Sequence, residues 1–143
     1  MRPNHIQFIP VLPEPAPTIP HSLFAAYQLI FAIIRPGALK NVRIALVECD
    51  VYLMTVSEVQ GFGRQRGVTE VYRTQGVEER LLPKLKLEIA LSDAFVEDAT
   101  EAIVRGVRSG TTGSVGDGKV FVIPLDGVIR IRTGETGENA LGP

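Results

Sequence analysis

The stretch LLPKLKLEIAL at residues 81–91 alternates apolar and charged residues over most of its length. Leu85, Leu87 and Ile89 fall on one side of an extended chain, and the charged residues between them fall on the other. A period of two is typical of a strand that packs one face on a hydrophobic core. The stretch therefore predicts a half-buried strand.

The segment before this strand has the same kinds of element. Residues 27–34 are rich in Ile and Phe and predict a strand, and residues 39–49 carry apolar side chains at helical spacing. Residues 51–59 predict a further strand. Residues 61–80 are polar and contain several glycines, so they predict a long connection.

The segment after it repeats the pattern. Ser92 and Asp93 predict the start of a second helix. Its expected buried stripe consists of Phe95, Ala99, Ala102, Ile103 and Val107. A loop rich in Gly, Ser and Thr follows, and residues 120–125 and 128–132 predict strands on either side of a turn.

Together these elements predict an α+β fold of the ferredoxin-like βαββαβ type, a double split β-α-β arrangement. Such a fold has an antiparallel sheet with its helices on one face. Many unrelated functions use it, so the fold class alone does not identify the activity.

The chain has 143 residues, enough for one domain, which we place at residues 27–143. Residues 1–26 form a proline-rich N-terminal arm, and the first 20 residues hold six of the chain's 10 prolines. Prolines exclude a helix or a central strand here. Two interpretations stay open for the arm: a disordered tail, or a segment that lies across the body or a neighbouring subunit.

Charge and hydropathy exclude two classes of partner. Lys and Arg number 15 against 16 Asp and Glu, a formal charge of −1, which argues against nucleic-acid binding. The most apolar run, residues 23–34, is too short to span a bilayer. We therefore predict a cytoplasmic protein without membrane insertion.

Two motifs near the C-terminus predict an anion site. The loop GSVGDGK at 113–119 is dense in glycine and ends at Lys119, a combination that suits phosphate oxygens. Arg130 and Arg132 would share one face of a strand, with Ile131 towards the core. The alternatives are a plain turn for the first motif and pairing with surface Glu residues for the arginines.

A third motif, GFGRQRG at 61–67, begins the long connection. Gln65 offers an oxygen to a metal ion or a donor to an anion, and Lys84 stands at the other root of the same connection. A solvated strand face is the alternative interpretation for Lys84. No nucleophile and base are combined in the sequence, so it shows no catalytic apparatus.

These motifs resemble those of the PII signal-transduction family, and the resemblance extends from Tyr27 to the C-terminus. The matching stretches are TVSEVQGFGRQRG (55–67), TEVYR (69–73), LPKLKLEI (82–89), VGDGKVFV (115–122) and VIRIRTGETG (128–137). Several ordered motifs at the spacing of the family make this resemblance specific.

The resemblance implies a non-catalytic regulator that forms a homotrimer. ATP, ADP or AMP would bind in clefts between subunits, and 2-oxoglutarate would bind with Mg-ATP. A T-loop at about 62–81 would contact a regulated transporter or enzyme, beside a B-loop at about 109–118 and a C-terminal loop at 133–143.

The resemblance also assigns residues to these ligands. Gln65 would ligate Mg²⁺ through the nucleotide phosphates and contact 2-oxoglutarate, and Lys84 would pair with the carboxylate of that effector. The expected nucleotide-binding residues are Thr55, Gly63, Arg64, Gly116, Asp117, Gly118, Lys119, Arg130 and Arg132.

The sequence departs from the family pattern at several positions. Val77 and Gln75 stand where other members carry a modified Tyr and Ser, so neither covalent switch is expected. The B-loop is about three residues longer than usual, and Ser114 replaces a common Lys. These changes leave open an alternative, a PII-like sensor of ADP or AMP coupled to bicarbonate and linked to inorganic-carbon assimilation.

Overall fold

The computed structural model describes residues 26–63 and 81–142. A four-stranded antiparallel sheet has the strand order β2-β3-β1-β4. The elements are β1 (Tyr27–Ile34), a 3-10 helical turn (Pro36–Ala38), α1 (Leu39–Glu48), β2 (Thr55–Gly61), β3 (Leu82–Ser92), α2 (Asp93–Val107), β4 (Gly118–Leu125) and the short helix α3 (Glu138–Leu141). The predicted ferredoxin-like α+β fold is confirmed.

The register of the sheet defines two opposite ends. At one end, Ile34 of β1 pairs with Leu85 of β3 and with Gly118 of β4, and we call this the B-loop end. At the other, Tyr27 pairs with Ser92 and Leu125, and we call this the C-terminal end. Because β1 has 8 residues, the two ends lie roughly 23 Å apart at about 3.3 Å per step.

Both long helices cover one face of the sheet, as predicted. Along β1 the side chains alternate between half-buried and buried, and β3 shows the same alternation from Leu85 to Ile89. The buried face supplies most of the core from the sheet, and the inner stripes of α1 and α2 supply the rest. The fully buried large side chains are Ile30, Ile34, Val42, Leu46, Leu87, Ile89 and Ile103.

The predicted strand at 128–132 is wrong. Only one isolated bridge, between Ile129 and Thr136, forms there, and Ile131 is 99% exposed rather than packed in the core. The chain instead turns back on itself, because the positive φ of Gly134 allows a tight turn in which its N–H donates to the Arg130 carbonyl. The backbone of this segment is therefore paired locally and adds no strand to the sheet.

Two smaller predictions also need correction. Phe95 is 44% exposed, and Val96 takes its place in the buried stripe of α2, because Val96, Ala99 and Ile103 share one face of the helix. β2 begins at Thr55 rather than at residue 51. Val51 is buried directly after α1, where its N–H donates to the Leu46 carbonyl.

Candidate functional site

The B-loop end of the sheet brings several predicted site residues together. Gly63 follows the end of β2, Lys84 lies on the neighbouring β3, and Gly118 and Lys119 begin β4. Lys84 Nζ donates a hydrogen bond to the Gly116 carbonyl oxygen over 3.3 Å, so the B-loop reaches across to β3. The antiparallel register places the end of β2 and the starts of β3 and β4 at this same end.

Asp117 closes the B-loop on itself. Its carboxylate accepts hydrogen bonds from the Ser109 backbone N–H at 2.9 Å, the Ser109 hydroxyl at 2.6 Å and the Ser114 backbone N–H at 2.8 Å. Its own N–H donates to the Ser114 carbonyl at 3.1 Å. Within the described residues, the three hydrogen bonds that the Asp117 side chain accepts therefore stabilise the loop.

Asp117→Asn is expected to lower the stability of the fold in a pH-dependent way. The N–H and hydroxyl of Ser109, followed by the Ser114 N–H, lower the pKa of Asp117 from 3.8 to about 2. A carboxylate whose pKa is lowered on folding stabilises the fold above its unfolded pKa, and this contribution is lost as the pH falls to the folded value.

Thermal melts of the wild type and Asp117→Asn over a series of pH values measure this effect. The difference in melting temperature should be largest above pH 3.8 and shrink between pH 3.8 and about pH 2. Asp126→Asn is the matched control, since Asp126 is exposed and has no hydrogen bond among the described residues. A difference for Asp117→Asn that is independent of pH would contradict this account.

Arg35 is a site residue that the sequence analysis did not identify. It follows β1 directly, and its Nη2 donates to the Val107 carbonyl at 2.8 Å and to Ser109 Oγ at 3.0 Å. The same nitrogen lies 3.5 Å from Asp117 Oδ1. A cation directly after a strand was visible in the sequence, but only the fold places it against a loop more than 70 residues away.

Arg35 and Lys84 place two positive charges at this corner of the molecule, beside the carboxylate of Asp117. Burial lowers the pKa of Lys84, and the nearby positive charge of Arg35 lowers it further. An anion bound beside Lys84 would offset both effects, because it would favour the charged ammonium. The corner is therefore suited to a carboxylate or a phosphate.

Arg130 and Arg132 lie at the other end of the sheet. They follow the end of β4 at Leu125, and Gly137 further on is so close to the Tyr27 hydroxyl that an added Cβ would lie 2.9 Å from it. Arg130 is paired within its own loop, with Glu135 at 2.8 Å and the Gly142 carbonyl at 2.7 Å. Arg132 is exposed and has no such contact within the described part of the chain.

The structure thus divides the predicted site residues into two groups. Thr55 belongs to neither end, since it begins β2 and pairs with Glu88 in the middle of β3. Arg130 and Arg132 lie at the C-terminal end. The residues at the B-loop end are Gly63, Lys84, Gly116, Asp117, Gly118 and Lys119. Arg64, Gln65, Gln75, Val77 and the N-terminal arm up to residue 25 lie outside the described residues.

Comparison with known proteins gives consistent matches. The family model described as nitrogen regulatory protein P-II matches residues 27–135. Nitrogen regulatory protein GlnK1 of Methanosarcina mazei is 47% identical over 116 residues, which cover 81% of this chain and 98% of the relative. Nitrogen regulatory protein P-II of Cereibacter sphaeroides is 50% identical over 112 residues, 78% of this chain and 97% of the relative.

A solved structure agrees with the sequence matches. The crystal structure of Arabidopsis thaliana PII bound to citrate superposes with a TM-score of 0.67 at 34% identity, covering 83% of this chain and 93% of the other. The matched relatives are named as regulatory proteins, so the prediction of a regulator rather than an enzyme is confirmed. This chain belongs to the nitrogen regulatory protein P-II family.

Proposed function

We propose that this P-II protein binds adenine nucleotides in clefts between the subunits of a homotrimer. The supporting observation is the separation of the two groups of site residues. Lys119 lies at the B-loop end of the sheet and Arg132 lies beyond its C-terminal end. Within one chain, roughly 23 Å of strand separates these two ends of the sheet. A nucleotide could contact both groups only if the C-terminal end of one subunit met the B-loop end of another.

The sheet face opposite the two long helices supports the oligomer. Phe121 and Ile123 of β4 are 45% and 47% exposed, and Phe31 of β1 packs on Phe121 with ring centroids 5.8 Å apart. Exposed apolar clusters of this kind mark interaction surfaces. An interface that joins two different ends of a subunit is head-to-tail, and such interfaces form a closed ring when the rotation between neighbouring subunits closes.

The charges suit a nucleotide with several phosphates. Lys119 would supply an ammonium at one side of the cleft, and Arg132 would supply a guanidinium from the neighbouring subunit. Charge-assisted hydrogen bonds to phosphate are among the strongest in proteins. Gly116 and Gly118 would let the backbone approach the phosphates, and both have positive φ.

We further propose that 2-oxoglutarate binds beside Lys84 when Mg-ATP is present. Mg²⁺ would enter with the nucleotide, held by phosphate oxygens and by the side-chain oxygen of Gln65, a set of hard ligands that this ion favours. Lys84 would exchange its contact with the Gly116 carbonyl for a carboxylate of the effector. Ligand occupancy would then shift the conformation of the T-loop, which controls a transporter or an enzyme.

Lys84→Ala is expected to weaken the binding of 2-oxoglutarate strongly while Mg-ATP still binds. The variant removes the ammonium that would pair with the carboxylate, a loss of about tenfold or more in affinity. Calorimetric titration of 2-oxoglutarate in saturating Mg-ATP measures it. Lys40→Ala is the control, since it removes the same charge from an exposed position of α1. Unchanged affinity in Lys84→Ala would remove Lys84 from the proposed effector site.

The second candidate is a sensor of ADP or AMP that responds to bicarbonate. It is favoured by the loss of a B-loop cation, because Ser114 stands where the family resemblance places a Lys. Titrations with ATP, ADP and AMP, each repeated with 2-oxoglutarate and with bicarbonate, separate the two candidates. Binding of 2-oxoglutarate only with Mg-ATP supports the first, and coupling of bicarbonate to ADP or AMP supports the second.

A further inference from the structure

A compact polar cluster ties the beginning of the B-loop to its end. Ser109, at the start of the B-loop, donates to the Asp117 carboxylate from its N–H at 2.9 Å and from its hydroxyl at 2.6 Å. Arg35 donates to the same hydroxyl at 3.0 Å and to the Val107 carbonyl at 2.8 Å. The cluster therefore links the end of β1 and the end of α2 to the residue before β4.

We propose that Ser109 and Arg35 are positioning residues that hold the B-loop in its phosphate-binding shape before a nucleotide arrives. The inference rests on the proposed nucleotide site and names the residues that prepare it. We call the contacts of Ser109 and Arg35 with the Asp117 carboxylate the clamp. Because Asp117 lies between Gly116 and Gly118, the clamp restricts the backbone on both sides of it. A loop that is already ordered loses less conformational entropy on binding.

The clamp also holds the negative charge of Asp117 in a fixed position. The carboxylate of Asp117 lies in the loop that would surround the phosphates, and a free carboxylate there would repel them. Ser109 and Ser114 donate to it, and Arg35 lies 3.5 Å from one of its oxygens. Loss of the clamp would therefore weaken a ligand in proportion to the number of its phosphates, most for ATP and least for AMP.

Calorimetric titration of Mg-ATP and of AMP into the full-length chain tests this inference. We expect Ser109→Ala to weaken the binding of Mg-ATP about tenfold, the effect of one lost charge-assisted hydrogen bond, and to weaken the binding of AMP much less. Arg35→Met should also weaken the binding of Mg-ATP. Ser109→Thr keeps the hydroxyl and should bind Mg-ATP as the wild type does. Thr111→Ala is the control, because Thr111 is an exposed loop residue without a hydrogen bond in the described residues.

The outcomes separate this inference from the proposed function. If the wild type binds Mg-ATP and Ser109→Ala binds it equally well, the clamp has no positioning role while the nucleotide site stands. An equal loss for ATP and AMP, or a failure of Ser109→Thr to restore binding, would also overturn the inference, because a merely structural defect predicts it. A wild type that binds no nucleotide would overturn both.

Discussion

Gly118→Ala is expected to destabilise the fold by about 4 kcal/mol or more, a large part of the stability of a domain this size. An added Cβ at Gly118 would lie 1.9 Å from the Ile33 carbonyl oxygen, a backbone atom that cannot move without breaking the pairing of β1 with β4. The residue also has a φ of 116°, which a side chain makes unfavourable.

Gly110→Ala is the matched control for this prediction. Gly110 also has a positive φ, 61°, but nothing lies within 4 Å of an added Cβ. Gly110→Ala should therefore lower the free energy of unfolding only by the backbone strain, about 1–2 kcal/mol. Denaturation in urea, followed by circular dichroism, measures both variants. Equal free energies of unfolding for the two would contradict the close approach of β4 to β1.

Lys119→Ala and Arg132→Ala are each expected to weaken ATP binding by about 10- to 100-fold, the effect of a lost charge-assisted contact to phosphate. The two effects should be similar although the residues lie at opposite ends of the sheet. Neither variant should change the melting temperature of the free protein, because both side chains are exposed in the single chain.

The controls for these two variants remove the same charges elsewhere. Lys40→Ala and Arg43→Ala lie on the exposed side of α1 and should bind ATP as the wild type does. Calorimetry with ATP measures all four variants. If Arg132→Ala binds ATP normally while Lys119→Ala does not, the nucleotide site is confined to one end of the sheet and the proposed cleft is wrong.

The sequence was sufficient for the parts of the fold that depend on local patterning. The alternation of Leu85, Leu87 and Ile89 predicted the buried face of β3 because strand geometry repeats every two residues. The segment 128–132 has the same kind of pattern, yet it pairs only within its own loop. A segment that alternates apolar and basic residues joins the sheet only if a neighbouring strand has an unpaired edge. The local sequence does not show whether such an edge is available.

The candidate site was predictable in residue type and less so in arrangement. The motifs identified Lys84, Gly118 and Lys119, which the fold places at one end of the sheet. They did not identify Arg35, or the bond between Ser109 and Asp117, because these contacts join residues that are far apart in sequence or lie at the two ends of a loop. Nor could they reveal that Arg130 and Arg132 lie at the opposite end, which depends on the direction of β4.

Assembly of mixed oligomers tests the shared nucleotide site most directly. Lys119→Ala and Arg132→Ala chains carrying different affinity tags can be co-expressed, and oligomers that contain both can be isolated on two columns in succession. A head-to-tail ring pairs the intact B-loop end of one chain with the intact C-terminal end of the other at one interface.

We therefore predict that each mixed trimer binds ATP at one site with wild-type affinity, although neither variant does so alone. Calorimetry of the doubly purified oligomer measures the affinity and the number of sites. Mixed oligomers that bind ATP as weakly as the two parent variants would contradict the account, because a site built within one chain cannot be restored by a neighbour.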